Sequence, residues 1–109
     1  MPESFERGAL TEAVFYILLS LHRPMHGYAI MQNIKSLTGG RVVLGPGTLY
    51  GAINALVKKG WIAAVTSDRD SRKKEYSITD AGVAAFLAEM GRLKELVENG
   101  ELAMKGEKQ

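Results

Sequence analysis

The chain has 109 residues, 46% of them hydrophobic and 24% charged, a length and composition that suit one ordinary globular domain. It has no cysteine and only two histidines, which excludes disulfides, thiolate metal sites and an all-histidine metal cage. The net charge of +2 is unevenly spread: residues 1–78 hold ten Lys/Arg against six Asp/Glu, and residues 79–109 hold four against six, an asymmetry compatible with a polyanion-binding body and a differently tasked end.

The first residues, Met1-Pro2-Glu3-Ser4 with Glu6 and Arg7, lack a basic stretch followed by an apolar one. No secretory leader is expected, and the cytoplasm is the expected location. No apolar run approaches the ~20 residues of a membrane span. From about Ala9 to Leu21, the residues Leu10, Ala13, Val14, Ile17, Leu18 and Leu21 recur at helical spacing and predict a core-facing helix that stops before Pro24. His22 and His26 flank that proline and are expected in a surface loop. A second helix opens at Gly27, carries Ile30, Met31, Ile34 and Leu37 on one side, and leaves at Gly39-Gly40. Arg41 to Leu44 is β-branched enough to suggest a short strand.

Gly45-Pro46-Gly47 reads as a turn, with Thr48 as the expected N-cap of a third helix. Leu49, Ala52, Ile53, Leu56 and Val57 form its apolar side, Lys58 and Lys59 its basic last turn, and Gly60 its exit. Ile62–Ser67 and Glu75–Ile78 read as the two strands of a hairpin, with Trp61 expected to pack on the core at its start. The tip between them, Asp68 to Lys74, is polar and basic. Thr79 then caps a final helix whose Val83, Phe86, Met90, Leu93 and Val97 fall at heptad spacing, broadened by Leu87 and Leu96. Asn99-Gly100 is a natural end to that helix, followed by a polar tail. The fold class is therefore mainly α with a small β-hairpin: a winged helix-turn-helix over residues 1–78 and a C-terminal helix and tail over 79–109.

At 100° per residue, the third helix turns Gly47, Gly51, Asn54, Ala55 and Lys58 away from its apolar side. Small residues let a backbone approach base edges, Asn54 matches the donor and acceptor of adenine, and Lys58 reaches phosphate. The helix N-terminus suits phosphate as well. Tyr50, at the flank, either reaches a phosphate with its hydroxyl or packs half-buried. Arg69, Arg72, Lys73 and Lys74 place four positive charges in six residues at the wing tip, partly offset by Asp68 and Asp70. Long basic side chains there can follow the phosphate backbone or enter the minor groove. The apolar seam of the last helix needs a cover, and a second copy is the most economical one. Val83, Phe86, Leu87, Met90, Leu93 and Val97 are the expected dimerisation residues.

Gly47-Thr48-Leu49-Tyr50, continued by Ala52-Ile53-Asn54-Ala55-Leu56 and Gly60-Trp61-Ile62, resembles the recognition-helix motif of PadR-family transcriptional regulators. His26-Gly27-Tyr28, the run Lys73 to Thr79, and Gly82 extend the resemblance, which covers about Leu10 to Leu96. It implies a winged-helix regulator, mostly a repressor in this family, of the short kind with a single C-terminal helix that embraces the partner subunit near its first helix. It also implies Tyr28, Thr48, Tyr50 and the basic wing residues as contacts to double-stranded DNA. Two departures stand out: Gly51 replaces a frequent proline, and Asp68-Arg69-Asp70-Ser71 replaces a glycine-arginine start to the wing. Some relatives sense flat apolar molecules between their subunits, so a small apolar effector at the dimer interface is a further expectation, although the last helix has no tryptophan to stack on one.

A winged-helix protein-interaction module without DNA binding is the alternative, favoured by the modest net charge and the acidic wing residues. Catalysis is not expected: there is no nucleophile beside a base, no cluster of metal ligands and no glycine loop to cradle phosphate. No cofactor and no metal are expected either.

Overall fold

Thr11 starts the first helix by accepting the Val14 N–H on its side-chain oxygen at 3.1 Å. The computed structural model describes residues 9–66 and 73–107. In chain order the elements are α1 (Glu12–Ser20), β1 (Met25–His26), α2 (Gly27–Leu37), α3 (Pro46–Lys59), β2 (Ile62–Ala64), β3 (Glu75–Ile78) and α4 (Asp80–Glu107). Together they form a winged helix-turn-helix followed by one long helix.

The apolar spacing read from the sequence is what packs. Ile17 and Leu18 of α1 with Leu21 at its C-cap, Ile30 and Ile34 of α2, and Leu49, Ile53 and Leu56 of α3 are all fully buried, joined by Ile62, Tyr76 and Phe86. Each such aliphatic side chain is worth about 1.5–3 kcal/mol on burial. A buried hydroxyl joins two of these helices. Buried Ser20 donates to Tyr16 O at 2.8 Å and accepts from Asn33 Nδ2 at 3.0 Å, which satisfies the hydroxyl and ties α1 to α2.

The sheet has three strands in the order β1-β3-β2, both pairs antiparallel. Ile62 faces Ile78 and Ala64 faces Tyr76 on one side of β3, while Met25 faces Tyr76 and His26 faces Glu75 on the other. The strand β1 was not expected from the sequence. The expected strand at Arg41–Leu44 does not form: the chain there folds back on the end of α2, where Val42 N–H donates to Thr38 Oγ1 at 3.0 Å. The first hairpin strand is shorter than expected, Ile62–Ala64.

The third helix starts earlier than expected. Its N-cap is Gly45 rather than Thr48, with Pro46 in the first turn, where its missing N–H costs nothing. Its exit is as expected: Gly60 adopts the left-handed conformation (φ 81°), and the N–H groups of Gly60 and Trp61 bond back to Val57 O and Leu56 O. Val57 lies on the open side, 42% exposed, rather than with the apolar residues.

Thr79 caps α4 as expected, accepting the Gly82 N–H at 3.1 Å while donating to Gly60 O at 2.6 Å. The helix does not end at Asn99-Gly100 but continues to Glu107. Its 28 residues span about 42 Å, and the longest dimension of the molecule is 61 Å against 28 and 24 Å for the others. Most of α4 therefore projects beyond the body. None of the helices among the described residues is long and apolar enough to cross a membrane.

Candidate nucleic-acid interface

The two sides of α3 differ sharply. Leu49, Ile53 and Leu56 face inward and are buried, while Gly47, Thr48, Gly51, Asn54, Ala55 and Lys58 are all exposed. A Cβ built on Gly47 or Gly51 meets no neighbouring atom, so nothing in the protein needs those positions to be small. The face they form is open, flat and able to lie close to a partner. At its leading end, Gly45 has no side chain to accept the first-turn N–H groups and Pro46 donates none, which leaves the N–H of Gly47 and of Thr48 directed outward. Lys58 and Lys59 supply positive charge at the other end, with Lys59 Nζ 4.8 Å from the centre of the Trp61 ring.

Tyr28, the second residue of α2, is 61% exposed. Its helix is capped by His26, whose Nδ1 accepts the Ala29 N–H at 3.3 Å. His26 is thus a half-buried capping residue rather than a plain loop histidine. His22 is exposed, its Nδ1 donating to the carbonyls of Leu18 and Leu19 at the end of α1.

Tyr50 is half-buried, and its hydroxyl is turned against the backbone of Gly27. Burial pushes the Tyr76 hydroxyl above its ordinary pKa, and the nearby Tyr50 adds to that. The structure thus brings Tyr50, Gly27 and Tyr76 together where α2, α3 and the sheet meet, with Tyr28 beside them on the surface.

The wing is described only at its base. Lys73 is exposed and Lys74 half-buried just before β3, whereas Arg69 and Arg72 lie outside the described residues. The expected dimerisation residues fall into two groups. Phe86 is buried in the protomer's own core, stacked on Phe15 with ring centroids 4.8 Å apart and with His22 edge-on at 5.1 Å. Val83 and Met90 are half-buried beside it, while Leu87, Leu93 and Val97 are exposed. Because α4 continues to Glu107, the same stripe runs on through Gly100 to exposed Met104, at spacings of three and four from Val97.

Sequence reasoning missed Glu89, which is 2% exposed on α4. It accepts from Arg92 Nε at 2.7 Å, from Arg92 Nη2 at 2.6 Å and from the Leu10 N–H at 3.3 Å. The Arg92 hydrogen bonds hold its carboxyl below the usual carboxylate range, against the opposing effect of burial. A signal was present: Glu89 lies three residues after Phe86 and four before Leu93, so it interrupts an apolar stripe with a charge whose partner follows at i+3. At the same N-terminal end of α1, Arg41 pairs with exposed Glu12 and anchors the loop after α2. No group of three or more His, Cys, Asp or Glu among the described residues is placed to hold a metal ion.

Comparison with known proteins gives this surface its context. A 59-residue stretch, 54% of the chain, is 39% identical to an uncharacterized 37.1 kDa protein in a transposon of Streptomyces fradiae, and the chain spans only 16% of that curated relative's length. Solved structures match over most of both chains. A transcriptional regulator from Clostridium thermocellum is 28% identical, with a TM-score of 0.67 and coverage of 92% of this chain and 96% of that one. A PadR-family regulator from Eggerthella lenta is 26% identical, with a TM-score of 0.68 and coverage of 92% and 86%. A PadR-like transcription factor from Bacteroides fragilis is 25% identical, with a TM-score of 0.71 and coverage of 93% and 96%. Residues 15–88 match the model of the PadR-like transcriptional regulator family, from the aromatic side of α1 through the helix-turn-helix and sheet to the first turns of α4, and the chain belongs to that family.

Proposed function

We propose that the chain is a sequence-specific DNA-binding repressor that acts in the cytoplasm as a homodimer on a two-fold operator. Residues 1–78 serve as the DNA-binding unit and 79–109 as the dimerisation unit. The observation that carries this reading is the outward face of α3, where Gly47, Thr48, Gly51, Asn54, Ala55 and Lys58 are exposed together over a fully buried apolar side. On that face Asn54 reads a base edge, Lys58 and the helix N-terminus meet phosphates, and Tyr28 and Thr48 flank them. Tyr50 contributes from the flank, and Arg69, Arg72, Lys73 and Lys74 of the wing add phosphate or minor-groove contacts.

The exposed stripe Leu93, Val97, Met104 supports pairing through α4, because so regular an apolar face at the end of a small domain calls for a partner. Two copies would present two α3 helices to half-sites about one duplex turn, ~34 Å, apart. Repression follows from occupying a promoter. Release by a small apolar molecule between the subunits belongs to the same reading, and Met90, Leu93 and Val97, rimmed by Lys94 and Glu98, line a shallow depression on α4 where one would lodge.

The test is a titration of duplex DNA from the adjoining promoter at several salt concentrations. Counterion release predicts that log K falls linearly with log salt, with a slope of about −0.9 per phosphate contact. Salt-insensitive association sinks the reading. Capture of a protein partner with no duplex binding at low salt favours the protein-interaction module instead.

A further inference from the structure

The contact between the body and the projecting part of α4 is narrow. Its first turn is held by Thr79 and by Gly82, which lies flat against the Trp61 carbonyl. One turn on, Phe86 stacks on Phe15. An aromatic stack resists separation, but its preference for one geometry is worth only about 0.5–1.5 kcal/mol beyond the area it buries, a weak brake on the roll and tilt of a long helix. Direction is supplied one further turn along by Glu89, which reaches across to the Leu10 N–H just ahead of the α1 cap. Arg92 is on the same helix as Glu89, so its two hydrogen bonds link no elements. They fix the Glu89 carboxylate in one rotamer, aimed at α1. A carboxylate at that place also complements the N-terminal end of the α1 dipole.

We propose that Glu89, held by Arg92 against the Leu10 N–H, is a positioning residue that sets the angle at which α4 leaves the winged-helix body and thereby the separation of the two recognition helices in the dimer. The proposal rests on the dimeric DNA-binding reading above. Leverage is what makes the angle matter. Eighteen residues of α4 follow Glu89. A tilt of about 10° there moves the helix end, about 27 Å away, by about 5 Å. Half-sites on a duplex tolerate little of that, since their spacing is set by the helical turn.

The chain has no cysteine, so Lys58→Cys on α3 provides a single site for a nitroxide label. Electron-electron distance measurement on the labelled full chain should give one narrow inter-subunit distance. Glu89→Ala and Arg92→Ala should each broaden it by about 5 Å, the lever displacement, and Glu89→Gln, which keeps an acceptor for Leu10, should broaden it less. Glu98→Gln, on the exposed part of the same helix, should leave it unchanged. With unlabelled protein, Glu89→Ala should bind a duplex carrying one half-site as the parent does. On the two-site operator it should lose about tenfold as bivalency is compromised, and accept neighbouring spacings.

Unchanged distance widths in folded, dimeric variants overturn the proposal while leaving the regulator reading intact. Equal losses on one-site and two-site duplexes also overturn it, because a merely structural role has that signature. A parent chain with no inter-subunit distance overturns the proposal together with the dimer. A parent with a narrow distance but no duplex binding removes the DNA reading and its spacing consequence, and so overturns the proposal as stated.

Discussion

The hydroxyl of Tyr50 rests against the Cα of Gly27, so that a Cβ at position 27 would come within 2.2 Å of Oη and 2.6 Å of Cζ. The close approach seats the front of α3 on the start of α2 and leaves Tyr28, the next residue, on the surface beside it. Gly27→Ala should force the Tyr50 ring out of its seat and cost about 1–3 kcal/mol, as overpacking does. Urea unfolding of the two single variants and the double variant checks this. In a Tyr50→Ala background the cost of Gly27→Ala should largely vanish, whereas additive costs would show that the two residues do not interact.

Gly82 is the harder case, because its neighbour is backbone. A Cβ there would lie 2.1 Å from the Trp61 carbonyl oxygen and 2.7 Å from Ile78 Cγ1. The same carbonyl accepts the Thr79 N–H at 2.9 Å, so it cannot move without breaking that bond. Gly82→Ala should therefore destabilise by about 3 kcal/mol, at the upper end of the overpacking range and despite alanine's better helix propensity. A lower urea midpoint with an unchanged slope would bear this out. A stabilised variant would refute it.

The residues just named show which parts of the fold were legible in the sequence. Helical spacing located the buried sides of α1, α2 and α3, and the alternation of Glu75–Ile78 located β3, because burial imposes those periods on the side chains. Met25–His26 carries no period at all. It is a strand only because β3 offers it a free edge, a tertiary fact. Arg41–Leu44 has strand-like residues, but its first N–H groups bond back to Thr38 at the end of α2 and not to a neighbouring strand. Asn99-Gly100 looks like a helix exit, and the penalty for a glycine inside a helix is only about 1 kcal/mol, which the good helix formers around it offset. The outward face of α3 was legible as a pattern of small and polar residues. Glu89 was legible only in part: its place in the apolar stripe and Arg92 at i+3 were in the sequence, but its other partner, the Leu10 N–H, lies 79 residues away.

Glu89 gives a pH dependence with a definite sign. Arg92 lowers its folded pKa below the unfolded value, so its contribution is fully present above the ordinary carboxylate range, ~4.3, and is lost as the pH falls through the folded value. The melting temperature of the parent should drop on acidification below that range. Glu89→Gln, which has no proton to gain, should be less stable than the parent at neutral pH and show a flatter acid limb. Above the carboxylate range the loss should be about 1.5–3 kcal/mol, the worth of hydrogen bonds to a charged group. Parallel acid limbs for the two proteins would show that Glu89 carries none of the dependence.

On α3, stability and binding should move in opposite directions. Gly51 sits in open space with no neighbour to clash, so Gly51→Ala should stabilise the protein by about 0.5–1 kcal/mol through helix propensity and a less flexible unfolded chain. The added methyl group stands on the face proposed to approach the base edges, so duplex binding should weaken. Asn54→Ala should leave stability within about 0.5 kcal/mol and reduce base discrimination by about 1–3 kcal/mol. Melting curves and competition titrations on the same preparations separate the two effects. A Gly51→Ala variant that is more stable and binds undiminished would place the DNA surface elsewhere.

The two kinds of seam residue on α4 make the dimer testable without unfolding the protomer. Phe86 is buried against Phe15, so Phe86→Ala removes core, and its cost of about 3–5 kcal/mol reports on folding whatever the oligomeric state. Val97 is 58% exposed and Met104 equally so, eleven and eighteen residues further along the same stripe. Val97→Glu should leave the winged-helix core intact, as near-ultraviolet circular dichroism would register, while light scattering shows monomers, because two such charges would be brought together in an apolar contact. Met104→Glu should act the same way, since the helix carries the stripe beyond Asn99-Gly100. If Met104→Glu stays dimeric while Val97→Glu does not, the contact ends before the last turns of α4, and the lever that spaces the recognition helices is correspondingly shorter.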